Sequence, residues 1–226
     1  MPARNARKKY LENGYYHIYN RGVEKKPLFL DEQDYSVFLS YLKEYLLPKN
    51  EDELYDRLSD PEISYKEKDK IIKLLRMNNF HEEITLLAYC LMLNHFHFMI
   101  KQKSFNSIDK FMQSLCTRYT MYFNKKYKRV GHLYQGVYKA VFVENEEQYL
   151  YLTKYIHRQA LATQGQTLQD QPSSYEDYLG LRHTEWVKPK EILSHFSETS
   201  PSLSYRSFVE QEDDFSNIQH SIIDED

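Results

Sequence analysis

Apolar positions along the chain change period several times, and each change marks an element. Residues 15–21, YYHIYNR, alternate as a half-buried strand does, and Gly22 stops the run. Asp31 stands where a helix N-cap belongs. Tyr35, Phe38, Leu39, Leu42 and Leu46 then follow a helical period over 32–47, and Pro48 ends it. Residues 49–81 are dense in charge, with one helix-like stretch near 64–77, and read as an insertion at the domain edge. EITLLAYCLML, 83–93, is apolar at successive positions, the pattern of a central strand. Asn94 marks a bend before the next strand, HFHFMIK at 95–101. A long amphipathic helix follows over 107–127, its inner side carrying Ile108, Phe111, Met112, Leu115, Tyr119 and Tyr122. VYKAVFV, 137–143, is a fourth strand, and Asn145 caps a helix running to about 161, with Gln148 in the reciprocal capping position. Beyond Gly165 the pattern weakens to short helices near 189–197 and 203–211.

The order strand, helix, strand, strand, helix, strand matches the split β-α-β-β-α-β arrangement, an α+β fold with a central antiparallel sheet. The extra helix and small helical appendages come after it. Such folds cover one sheet face with helices and are expected to leave the other face open for chemistry.

On that face the sequence places a histidine pair. His95 and His97 are separated by one residue of strand, so both rings point the same way, while Phe96, Phe98 and Ile100 point under the helices. Two imidazoles so spaced can converge on one cation, but two do not fill a metal shell. An isolated His-x-His pair is more often a plain polar pair on a solvated sheet face. The helix at 146–161 offers the missing donor. Its apolar stripe is Tyr149, Leu152, Ile156 and Ala160, and Tyr155 and Gln159 stand one above the other on the flank. Gln159 can supply an oxygen ligand and Tyr155 a hydroxyl beside the cation. Tyr151 is the rival hydroxyl one turn earlier, His157 points elsewhere, and with 21 tyrosines in the chain spacing alone selects none of them.

Charge changes the picture of partners. The net charge is −3, yet Lys101, Lys103, Lys110, Arg118, Lys125, Lys126, Lys128, Arg129 and Lys139 fall within 101–139 beside a single acid, Asp109. The first thirty residues hold seven basic residues, Arg21 among them, and two acids, whereas the last twenty-two hold seven acids and one base. A local basic patch governs phosphate affinity whatever the whole-chain sum, so a polyanionic partner is expected. The acidic end, from about 212, is expected to lack structure. No stretch approaches the roughly 20 apolar residues of a membrane span. The basic start, MPARNARKKY, leads into no apolar run, and Cys90 and Cys116 read as buried thiols, so a cytoplasmic location is expected.

Five segments together resemble a known family: YYHIYNRGVEKKPLF at 15–29, LMLNHFHFMI at 91–100, GHLYQGVYKAVFVENEEQYL at 131–150, KYIHRQALATQ at 154–164 and SSYEDYLG at 173–180. They are similar, in this order, to the REP-associated tyrosine transposases and their insertion-sequence relatives, members of the HUH (His-hydrophobic-His) nuclease superfamily. The resemblance implies a transposase and endonuclease domain over 1–185, followed by a short helical extension at 186–211 and the acidic tail at 212–226. It implies that His95, His97 and Gln159 hold Mg²⁺ or Mn²⁺. It also implies that Tyr155 cuts single-stranded DNA with hairpin ends through a 5′-phosphotyrosine. Many REP-associated relatives carry Asn-Pro where this chain has Gln159-Ala160, whereas insertion-sequence transposases of the wider superfamily use Gln as a third ligand. Arg21, Lys101, Lys103, Arg118, Lys125, Lys126, Lys128, Arg129, His132 and Lys139 would contact DNA. Homodimer and monomer both stay open. So do two alternatives: a domesticated DNA-binding relative with little cleavage, and an unrelated metal-dependent hydrolase using the His pair.

Overall fold

The computed structural model describes residues 10–160 and 171–211. The acidic tail from 212 and most of the basic N-terminal run lie outside the described residues. Strands β1 (Tyr15–Arg21), β2 (Ile84–Leu91), β3 (His95–Gln102) and β4 (Lys139–Phe142) form one antiparallel sheet in the order β2-β3-β1-β4. Helices α1 (Glu32–Leu46) and α4 (Ser107–Lys126) make the crossovers, and α5 (Glu146–Gln159) follows β4. This is the expected split β-α-β-β-α-β core with one further helix.

Local chemistry sets the helix starts. Asp31 accepts a hydrogen bond from the Asp34 backbone N–H, and Asn145 accepts one from Gln148 at 2.9 Å. The backbone N–H of Glu144, one residue before the cap, donates in turn to Gln148 Oε1. Only one helix was expected in 49–81, and the structure has two, α2 (Glu51–Ser59) and α3 (Tyr65–Arg76). The first escapes an apolar-period reading because none of its residues is buried; it is held by its Asn50 cap and an acidic first turn.

The sheet separates two cores. On one face Tyr16, Ile18, Phe96, Phe98 and Ile100 pack against Phe38 and Leu42 of α1 and Phe111, Leu115 and Tyr119 of α4. The face expected to be open is covered instead. Leu87, Ala88, Cys90 and Met99 meet α5 through Leu152, Tyr155 and Ile156. Helices α6 (Tyr175–Tyr178), α7 (Lys190–Leu193) and α8 (Tyr205–Glu210) add Tyr175, Ile192, Tyr205 and Val209 to this second core. The reason lies in β2, whose unbroken apolar run has to be buried on both sides. A bulge between Leu86 and Ala88 shifts its alternation, so that Leu86, Tyr89 and Leu91 face one core and Leu87, Ala88 and Cys90 the other.

The outer edge of β2 is also closed. Leu91 and Lys188 donate backbone hydrogen bonds to Pro172 and Leu86, both at 2.9 Å, and Ser174 donates one to Tyr89 at 3.0 Å. Residues 186–211 are thereby tied into the sheet and its second core. Cys90 is buried, Cys116 is half-buried, and neither is in a disulfide. No helix among the described residues is long and apolar enough to cross a membrane.

Candidate active site

Strand alternation carries His95 and His97 onto the second face, as the sequence pattern requires. The register then brings β1 beside them, with Arg21 opposite His95, Tyr19 opposite His97 and His17 opposite Met99. His17, wholly buried, completes a cluster of three imidazoles that the sequence reading missed. Its Nε2 lies 2.9 Å from Nδ1 of His97. The rings of His95 and His97 stand at right angles with centroids 5.0 Å apart, and Tyr19 stacks on both His17 and His97.

The chain bend before β3 is fixed by backbone approach. Gly22 donates its N–H to the Asn94 carbonyl at 2.8 Å. A Cβ on Gly22 would stand 2.0 Å from the carbonyl oxygen of Lys26, so only glycine fits there. Asn94 in turn accepts from His95 Nδ1 at 2.7 Å.

Helix α5 packs on β2 and β3 and delivers Tyr155 to the cluster. The Tyr155 ring meets His97 edge-on at 5.5 Å and His17 at 5.9 Å, and is 6% exposed. Gln159 is the last residue of α5, half-buried and one turn beyond Tyr155 on the same flank. Tyr151 faces away from the histidines: its ring packs on Phe208 of α8 at 5.4 Å. His157 is buried on that far side too, between the Tyr205 hydroxyl at 2.6 Å and Ser174 Oγ at 2.7 Å.

Burial pushes the His97 imidazole well below its ordinary pKa, and the proximity of His17, His95 and Arg21 adds to the shift. His97 is therefore neutral at physiological pH, the form that donates a lone pair. Among the described residues, no group of three or more His, Cys, Asp and Glu is arranged to hold a metal ion. Any cation site here must recruit a different donor, and the amide oxygen of Gln159 is of a type that suits a divalent ion beside two imidazoles.

The expected DNA-contacting residues divide by what already engages them. Arg21 and Lys139 border the histidines, Arg21 opposite His95 and Lys139 with its Nζ 5.4 Å from the centre of the Tyr19 ring. Lys126 is ion-paired with Asp31 at 2.7 Å and Asp34 at 2.8 Å. Arg118 pairs with Glu44 at 2.6 Å and lies over Tyr41, and Lys101 pairs with Glu191 at 3.5 Å. Lys103, Lys125, Lys128 and His132 are exposed, and Arg129 is half-buried over the Phe123 ring.

The antiparallel α+β core thus brings histidines of a central strand beside a tyrosine of the helix that follows the last strand, and sequence comparison adds to this geometry. Residues 61–159 match the family described as "Transposase IS200 like". The matched stretch contains His95, His97, Tyr155 and Gln159. No curated protein matches the sequence. A solved chain described as "Structure of the REP associates tyrosine transposase bound to a REP hairpin" is similar at 12% identity and a TM-score of 0.49, over 88% of this chain and 94% of that one.

Proposed function

We propose that the protein is a metal-dependent, single-strand DNA transposase that uses Tyr155 as its nucleophile and acts at hairpin-bearing ends. The observation that carries this reading is the edge-on placement of Tyr155 against His97, while Tyr151, the alternative in sequence, is turned to Phe208. The match of residues 61–159 to the IS200-like transposase family supports the reaction class.

A phenol has an ordinary pKa near 10 and needs assistance to attack at neutral pH. His95, His97 and Gln159 would hold a divalent cation, Mg²⁺ or Mn²⁺, which when bound supplies Lewis-acid polarisation of the scissile phosphate. Tyr155 Oη attacks phosphorus in line, and a tyrosyl O–P bond forms as the P–O3′ bond breaks. The phenolic proton is lost to solvent and the departing 3′-oxygen gains one, leaving a free 3′-OH and a 5′-phosphotyrosine. The phosphodiester count is unchanged, so a second 3′-OH can reverse the step and rejoin DNA without ATP. Arg21 and Lys139 provide positive charge at the mouth of the cluster for the incoming phosphate.

The test is a labelled single-stranded oligonucleotide with a hairpin beside the cleavage point. A covalent protein–DNA adduct should form with Mg²⁺ or Mn²⁺, disappear with chelator, be lost in Tyr155→Phe and persist in Tyr151→Phe. An adduct that survives Tyr155→Phe and is lost in Tyr151→Phe contradicts the assignment. DNA binding without any adduct contradicts the nuclease reading.

A further inference from the structure

An imidazole binds a cation only through a nitrogen that carries no proton, and in the neutral ring the hydrogen bond made by one nitrogen decides which that is. At His95 the choice is forced. Nδ1 lies 2.7 Å from Asn94 Oδ1, and the amide is held that way round because Asn94 Nδ2 donates to the Lys25 carbonyl at 3.0 Å. An amide oxygen can only accept, so the His95 proton sits on Nδ1 and the lone pair on Nε2.

At His97 the corresponding partner is His17. Their nitrogens are 2.9 Å apart, and the ring planes lie within 19° of parallel with centroids 5.1 Å apart. The centroid spacing exceeds the nitrogen gap by a full ring width, as it does when two rings meet end to end along an N–H···N line. Two rings sharing a cation would instead be hinged about it, and for the same nitrogen gap their centroids would stand closer. The contact is thus a hydrogen bond and not half of a metal shell.

We infer that His17 and Asn94 are positioning residues that hold His97 and His95 in one common tautomer, Nδ1–H, so that both Nε2 lone pairs are presented to a divalent cation. The inference rests on His95 and His97 being ligands, as in the proposed function. This assignment requires His17 to accept through Nε2 and to carry its own proton on Nδ1. A ligand histidine whose second nitrogen donates to a fixed acceptor is better oriented and more basic, an effect typically worth about 10–100-fold in metal affinity. His17 acts across the β1–β3 pairing, whereas Asn94 acts from the bend that opens β3.

The experiment is imidazole nitrogen NMR on the full chain labelled at histidine, at neutral pH without metal, followed by Mn²⁺ titration read by electron paramagnetic resonance. Wild-type His95 and His97 should both show Nδ1–H. His17→Phe should release His97 from that tautomer, leave His95 unchanged and weaken Mn²⁺ binding by roughly 10–100-fold. His17→Gln, which keeps an acceptor, should recover part of the loss. Thermal melts report whether each variant is folded, and the wild-type spectrum decides even if His17→Phe does not fold. An Nε2–H tautomer at wild-type His97, or unchanged Mn²⁺ affinity in folded His17→Phe, overturns the inference. Wild-type protein with both assigned tautomers and Mn²⁺ bound, yet no DNA adduct, supports this assignment and refutes only the nuclease reading.

Discussion

Lys126 and its neighbours Lys125 and Lys128 are alike in sequence and unlike in the structure. Lys126 reaches back to α1, where Asp34, itself buried, also accepts from the Tyr122 and Tyr127 hydroxyls at 2.9 and 2.7 Å. The Asp34 carboxyl is held below its ordinary pKa although burial alone would raise it, because Lys126 and these donors favour the anion. Removing the cation leaves a buried carboxylate undercompensated. Lys126→Ala should therefore lower the melting temperature by several degrees and leave the DNA affinity of the folded protein little changed. Lys125→Ala with Lys128→Ala should do the reverse, preserving the melt and reducing the salt slope of DNA binding by about one to two. Equal effects of both variants on binding would show that Lys126 exchanges its partners for phosphate. At this scale the sequence disclosed what local spacing governs: the caps Asp31 and Asn145, and the shared face of His95 and His97. It did not disclose His17, because its nearness to His97 depends on pairing between strands 80 residues apart in the chain.

Helix α5 is the element that joins the histidine cluster to the rest of the molecule. One flank carries Tyr155 to the histidines. The other carries His157 into contact with Ser174 and Tyr205, while Tyr151, one turn before Tyr155, and Lys154 pack against Phe208. Burial, aided by the charge of Arg182, pushes His157 down to about 3. The folded protein therefore keeps this imidazole neutral where the unfolded chain, with an ordinary value near 6.5, takes up a proton. The resulting stability is fully present above about pH 6.5 and is lost as pH falls toward 3. The melting temperature should fall between pH 7 and pH 4.5, and it should fall less in His157→Phe, which has no proton to gain. An identical slope in that variant would assign the acid sensitivity to other groups. Helix α5 itself was legible from its cap and stripe. Its burial on both flanks was not: of the covering pieces, the short helix α8 matches the one read near 203–211 but α6 was not read, and so short a period does not show what it packs against.

Across the whole molecule, one sheet divides an ordinary hydrophobic core from a second core that holds the histidines at its margin. The fold class was readable because the alternation of strand and helix periods survives along the chain. The open sheet face was misjudged, although the clue was present in β2, whose apolar run is continuous. A buried tyrosine beside three buried or half-buried imidazoles is costly to assemble, and residues 171–211 help by clamping α5 and the β2 edge. The account stands or falls on the atom that becomes bonded to DNA. Peptide mapping by mass spectrometry of a metal-dependent adduct locates it directly. A 5′-phosphonucleotide on Tyr155 is the predicted result, and the same mass on Tyr151 or on any other tyrosine would contradict it.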